Sequence, residues 1–325
     1  MTGPTLAGAL NAALRDAMAA DERVVVFGED VGRLGGVFRV TDGLRAEFGA
    51  ARCFDTPIAE AGILGAAIGM AMYGLRPVVE LQFDAFAYPA FEQVVSHLAR
   101  MGNRTRGRMR LPVVVRIPYG GGIGAVEHHS DSSEAYAAHT PGLHVFTPAT
   151  AGDAYGMLRA AVASPDPVLF FEPKRLYHVR AEADPAKEAV APIGTAVLRR
   201  EGADAVLIAY GPAVPIALEA AAAARTEGWD LAVLDLRTLV PLDEETLCDV
   251  VSRIGRAVVV HEAAGFGGFG AELAALISER CFARLAAPVR RVTGLDIPYP
   301  PPRWERHHLP SVDRVLDAVA TLGIR

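Results

Sequence analysis

Short apolar runs alternate with longer segments whose apolar residues recur at helical spacing. Residues 5–20 carry Leu6, Leu10 and Leu14 at i, i+4 and i+8, which predicts an amphipathic helix. Residues 23–30 then run Val24, Val25, Val26, Phe27 into Gly28, Glu29 and Asp30. That pattern predicts a buried parallel strand with polar groups at its carboxyl end, where open α/β sheets place ligands. Further strands are predicted at 52–55, 76–83, 111–118, 143–148 and 167–174. Helices are predicted at 43–48, 56–72 and 151–163, with one more ending near Arg100. Residues 181–192 are charged, weakly periodic and contain Pro185 and Pro192, which suits a linker. Beyond them strands at 205–210, 231–236, 257–261 and 289–292 alternate with helices at 214–227, 243–254 and 270–280. Strands separated by helices imply right-handed parallel crossovers, so both halves are expected to be doubly wound α/β domains.

The segment 56–72 is unusual within this pattern. Thr56 and Pro57 suit an N-cap and a first-turn position, and Glu60 is the only ionisable group in the run. Gly62, Gly65 and Gly69 fall on one helical face, at a cost of roughly 2–3 kcal/mol against alanine. Such a cost is reasonable where another backbone or a flat ligand comes close. Glu60 has two readings here: a solvent-facing first-turn acid favoured by the helix dipole, or a carboxyl whose pKa is raised so that it shares a proton with a ring nitrogen.

Composition narrows the class. The chain has 325 residues, 51% of them hydrophobic and 22% charged, with a net charge of −6, enough for two full cores and nothing that suggests nucleic acid or a lipid surface. Cys53, Cys248 and Cys281 are scattered and in no ligand spacing, which fits a reduced, cytoplasmic setting. No secretory signal or membrane span is read.

Several motifs carry competing chemistry. Residues 265–270 match G-x-G-x-x-G between a strand and a helix, which is either a dinucleotide loop of an oxidoreductase or a structural glycine loop. No P-loop pattern occurs. Glu127, His128, His129 and Asp131 could form a metal cluster, but adjacent histidines diverge. One histidine aimed into a cleft is the better functional reading, against a surface pair beside a helix cap at Ser130 or Ser132. Arg104, Arg106 and Arg108 form a basic loop, read as solvated or as an anion or partner contact. His261 is read as a polar neighbour of Glu262, and no role is assigned to His307 and His308.

The order of Phe27-Gly28-Glu29-Asp30, Gly35-Gly36-Val37-Phe38-Arg39, Asp55-Thr56-Pro57-Ile58-Ala59-Glu60-Ala61-Gly62, Pro89-Ala90-Phe91-Glu92-Gln93, His129-Ser130 and Phe171-Glu172-Pro173-Lys174 resembles the beta subunit of thiamine-diphosphate-dependent 2-oxo acid dehydrogenases. The second half, with Leu234-Asp235-Leu236-Arg237-Thr238 and Arg291-Val292-Thr293-Gly294, resembles the same family's transketolase-like C-terminal domain. The resemblance implies a pyrimidine-binding domain at 1–180 and a C-terminal domain at 193–325. It assigns Glu60 as the carboxyl facing N1′ of the thiamine pyrimidine and His129 as the active-site histidine. Phe86 falls against the pyrimidine ring where relatives often have Tyr, and Glu29 and Glu92 are counted with it as cofactor-binding, Glu92 within a buried acidic chain between paired sites. By the same resemblance, carbonyls around Ala161, Val162, Ser164 and Asp166 would hold a monovalent cation, K⁺. No Gly-Asp-Gly is present; Gly152-Asp153-Ala154 is the nearest. A separate alpha subunit is therefore expected to hold diphosphate and Mg²⁺ in an α2β2 enzyme that serves a lipoyl acyltransferase. The expected substrate is a branched-chain 2-oxo acid, then pyruvate, then acetoin.

Overall fold

The computed structural model describes residues 3–180 and 192–324, so all but the last residue of the 181–192 stretch read as a linker lie outside it. In the first part the order is α1 (Leu6–Ala20), β1 (Val24–Gly28), α2 (Leu44–Phe48), β2 (Cys53–Asp55), α3 (Glu60–Met72), β3 (Arg76–Glu80), α4 (Met101–Arg104), β4 (Val114–Tyr119), α5 (Glu134–Ala138), β5 (His144–Phe146), α6 (Ala151–Ala163) and β6 (Val168–Pro173). The second part continues with β7 (Val197–Arg200), β8 (Ala205–Ala209), α7 (Ala213–Ala223), β9 (Leu231–Asp235), β10 (Thr238–Val240), α8 (Glu244–Ile254), β11 (Ala257–Ala264), α9 (Phe269–Cys281), β12 (Arg290–Gly294), α10 (Glu305–His308) and α11 (Val312–Ala320).

The first sheet has the order β10-β5-β6-β4-β3-β1-β2 and is parallel except at β10. The second has the order β12-β11-β8-β9-β7 and is parallel except at β7. Alternation along single strands explains the double winding. In β1, Val24 and Val26 pack into the cluster built on α1 and α6, whereas Val25 and Phe27 pack into the one containing α3. In β8, Leu207 faces the α7 and α11 side, and Val206 and Ile208 face α8 and α9. The α3 cluster and the α8–α9 cluster are one continuous core, so the two parts share an interior.

The structure departs from the sequence expectations at several places. β7, β10 and α11 were not expected: β7 is only half-buried, β10 has three residues, and α11 follows a proline-rich stretch. β10 is the more consequential, because a strand from the second half closes the edge of the first sheet beside β5. The segment ending near Arg100 is not one α-helix but a 3₁₀ stretch, Asp84–Ala90, followed by a π-helical stretch, Gln93–Leu98. α3 begins at Glu60 with Ala59 as N-cap and no side-chain cap, so Thr56 and Pro57 lie outside it. Thr56 instead donates its N–H to the Gly28 carbonyl at 2.9 Å, tying the entry of α3 to the end of β1. No helix among the described residues is long and apolar enough to cross a membrane.

Candidate active site

The carboxyl ends of β1 and β3 bring together residues far apart in sequence. Glu29 follows β1 and is 5% exposed, with Oε1 lacking any partner. Burial, then the charges of Glu60 and Asp30, push its carboxyl above the usual carboxylate range. Glu60 is half-buried on the first turn of α3. The Thr56–Gly28 bond is what sets α3 down beside the β1 end. Gln82 crosses from the β3 end, its Nε2 donating to Asp30 Oδ2 at 3.0 Å and to the Glu29 carbonyl at 3.4 Å.

Next to Gln82 the aromatic corner receives His129. The imidazole lies 4.2 Å from the Phe83 ring and 5.3 Å from Phe86, edge to face in both cases. Its Nδ1 is buried without a partner, and burial, then the Lys174 and His128 charges, hold its pKa below the usual histidine range. His128 points outward and pairs with Glu127 at 3.0 Å. Adjacent histidines thus diverge, and no cluster of three or more His, Cys, Asp or Glu able to hold a metal ion occurs among the described residues.

Two groups here were not singled out from the sequence. Lys174, at the end of β6, is 2% exposed with no partner for Nζ, which lies 5.7 Å from the Phe83 ring centroid. Burial pulls its pKa down to about 8. Asp84 is fully buried and accepts bonds from the Ser133 amide, at 2.7 Å, and hydroxyl. Burial pushes it up to about 6 against those bonds. It therefore pins the loop that carries His129 onto the aromatic corner. A lysine directly after Pro173 at a strand end, and an acid inside the run Phe83-Asp84-Ala85-Phe86, were the available signals.

Glu92 does not sit in a buried acidic chain within this chain. Its side chain is 63% exposed and faces His97 at 3.3 Å, just before the π-helical stretch begins. The buried charge cluster is elsewhere: Arg116 bridges Glu80 at 2.6 Å and Glu172 at 2.7 Å with all three inaccessible.

The 265–270 glycines have a structural explanation. A side chain on Gly268 would meet the Ala264 carbonyl and His261 Cε1, and one on Gly270 would overlap His261 Nε2. These glycines let α9 settle on a buried, unpartnered histidine stacked on Tyr210. Gly267 has nothing within 4 Å of a Cβ and is required by its positive φ of 68°, whereas close packing accounts for Gly268 and Gly270. Gly121 is needed for a similar reason, since Tyr299 fills the place of its Cβ, and the 121–124 amides donate to Glu262 and Glu305 of the second half. Asp153, from the nearest approach to Gly-Asp-Gly, is committed to Arg199 and Arg237.

The carbonyls nominated for a monovalent cation already have partners. Arg76 donates to the Val162 carbonyl at 2.7 and 2.9 Å and to that of Ser164 at 2.7 Å. The Ala161 carbonyl accepts the Ser164 amide at 3.2 Å. The Asp166 carbonyl accepts the Ser164 hydroxyl at 3.1 Å, and its carboxylate faces Arg110 at 3.2 Å.

Residues 2–180 match the transketolase pyrimidine-binding domain and residues 194–315 the transketolase C-terminal domain. The chain is 56% identical over 316 residues to the 3-methyl-2-oxobutanoate dehydrogenase subunit beta of Mycobacterium tuberculosis, covering 97% of this chain and 90% of that one. It is 51% identical over 311 residues to the pyruvate dehydrogenase E1 component subunit beta of Leifsonia xyli subsp. xyli, covering 96% and 92%. Among solved structures, a split-gene transketolase described as an inactive beta4 tetramer superposes with a TM-score of 0.82 at 24% identity over 98% of both chains, which speaks for the fold alone.

Proposed function

Since the chain belongs to the transketolase-like family of 2-oxo acid dehydrogenase beta subunits, we propose that it forms the pyrimidine side of a thiamine diphosphate site. In this reading an alpha subunit completes the site and holds diphosphate and Mg²⁺. The assembled α2β2 enzyme decarboxylates a branched-chain 2-oxo acid and passes the acyl group to the lipoyl arm of an acyltransferase, in the cytoplasm. The observation that carries it is the acid pair: Glu29, buried with an unpartnered oxygen and raised above its ordinary pKa by that burial first and by the neighbouring Glu60 second. An acid pair next to an aromatic wall fits a protonatable heteroaromatic ring, and the described residues offer no metal cluster of their own.

Bound thiamine diphosphate supplies an electron sink for the carbon that loses carbon dioxide. Glu60 holds or shares a proton at the pyrimidine N1′, where Glu29 keeps a second acid close and disfavours both being charged. Phe86 offers a flat face without a hydroxyl, so it contributes ring contact and no proton transfer. His129, kept neutral by burial and by Lys174, accepts or donates a proton at substrate or lipoyl sulfur. Phe83 and Phe86 exclude water around it.

The alpha partner has a surface to meet. α3 exposes Gly62, Gly65 and Gly69 together with Met72, while Ile58 and Tyr73 at its ends are 84% and 89% exposed. A Cβ on Gly65 or Gly69 would meet nothing within 4 Å in this chain. The cost of these glycines has no reason inside the chain and finds one in a second subunit packed closely on this face.

The branched-chain substrate rests on the 56% identical relative's name, and pyruvate stands second on the 51% identical one. The test is reconstitution with the alpha-like chain encoded beside this one, comparing kcat/KM for 3-methyl-2-oxobutanoate and pyruvate. A preference of about tenfold or more for the branched acid is expected, as added methyl groups in an apolar pocket give. A preference for pyruvate would reassign the substrate and leave the half-site intact.

A further inference from the structure

α6 ends without a cation of its own: no basic residue lies in its last turn, and Ser164 is its C-cap. The last carbonyls of a helix carry about half a negative charge and attract positive groups. Here the positive group comes from another element, Arg76, the first residue of β3, 86 residues away from Val162. Its Nε and Nη2 both donate to the Val162 carbonyl and Nη2 also reaches the Ser164 carbonyl, all within 2.9 Å. Val162 and Ser164 are both buried, so water does not compete for these oxygens. A ring of carbonyls is also how proteins hold K⁺. At Val162 and Ser164, however, the lone pairs point at a guanidinium, and an ion entering there would meet its charge at contact distance.

We propose that Arg76 is a built-in replacement for a monovalent cation: its guanidinium occupies the carbonyl cage at the end of α6, and the chain folds and assembles independently of K⁺. The Val162 and Ser164 carbonyls thus receive from Arg76 the positive charge that a cation would supply, while those of Ala161 and Asp166 accept from the Ser164 amide and hydroxyl. The fork geometry of arginine suits this better than lysine, because it serves two carbonyls at once.

The test reads thermal stability and not turnover, so its failure would leave the thiamine half-site reading untouched. The full chain, alone and with its alpha partner, is melted in about 100 mM KCl and in about 100 mM tetramethylammonium chloride, whose cation is too large for the cage. Wild type should melt within about 1 °C in both salts. Arg76→Ala should melt at least about 4 °C lower in tetramethylammonium and regain several degrees in KCl, as mass action on a vacated cation site requires. Stabilisation of wild type by K⁺ over tetramethylammonium would overturn the proposal. So would an Arg76→Ala chain that melts like wild type, or one that K⁺ fails to restore. If Arg76→Ala does not fold in tetramethylammonium, Arg76→Lys, which keeps a charge on a single donor head, should fold there and melt higher than Arg76→Met. Its insensitivity to charge, with melting equal to that of Arg76→Met, would also overturn the proposal.

Discussion

At the amino ends of the strands in the first sheet, Arg52 and Arg76 lie across backbone carbonyls at the ends of α1 and α6 and the start of β1. Arg52 collects Met18, Asp21 and Val24, and Arg76 collects Val162 and Ser164. At the carboxyl ends the situation is reversed: Glu29, His129 and Lys174 each keep a buried polar atom without a partner. Both sets were recruited from distant parts of the chain by the same parallel topology. One end spends its charged groups on completing backbone hydrogen bonds. The other holds groups that titrate away from their ordinary values, in the directions burial and like charge dictate. Such frustrated groups persist only where the surrounding fold holds them, and they gather where chemistry takes place.

Substitutions at the two ends should therefore fail in different ways. The largest effect is expected at the reactive end: Glu60→Gln in the reconstituted complex should lower decarboxylation by about 10²–10⁴-fold with assembly and melting unchanged, read by steady-state kinetics and light scattering. A variant within tenfold of wild type would show that the proton is handled elsewhere. On the neighbouring face of α3, Gly65→Leu should leave a folded beta chain that no longer elutes with the alpha subunit in size-exclusion chromatography. Co-elution at wild-type yield would remove that face from the interface.

The sheet interior between the two ends supplies the next contrast. Arg116→Met leaves Glu80 and Glu172 buried without their shared cation and should cost roughly 3–5 kcal/mol in urea unfolding; a loss below about 1 kcal/mol would mean that the acids are protonated or hydrated without it. A smaller effect is expected at Glu134, which is fully buried and pushed up from 4.5 to about 7 by burial, against the bonds donated by its own backbone amide and, at 2.9 Å, by the Tyr210 hydroxyl. The native state retains this proton where the unfolded chain releases it, so stability falls as pH rises from about 4.5 to about 7. Glu134→Gln should reduce that slope, leaving the part due to acids such as Asp84, and gain up to about 3 kcal/mol above the window. An unchanged slope would show that Glu134 is not the group responsible.

Much of this was legible in the sequence, for physical reasons that differ by residue. Runs such as Val24-Val25-Val26-Phe27 are buried on both faces, so their strand character needs no tertiary information. Glu60 stood out because it is alone in an apolar helix, and His129 because only one of two adjacent histidines can face inward. Lys174 and Asp84 were not legible, since one matters for a buried amine left without a partner and the other for its bonds to the distant Ser133, and only the folded chain shows either. Glu92 and the residues nominated for a cation were carried over by resemblance. Glu92 turns outward just before a π-helical stretch, and of the cation set Val162 and Ser164 are served by an arginine that no local pattern connects to α6. β10 was missed because a three-residue strand is defined by the edge it pairs with, and that edge belongs to the other half.

In the proposed function this chain contributes half of a cofactor site and cannot complete it alone. Calorimetric titration of thiamine diphosphate with Mg²⁺ into the isolated beta chain, into the alpha chain and into their complex tests it directly. Saturable binding is predicted for the complex, with Glu60→Gln weakening it, and none for the beta chain by itself. Tight, stoichiometric binding by the isolated beta chain, or a complex that binds no better than its alpha chain, would contradict the account.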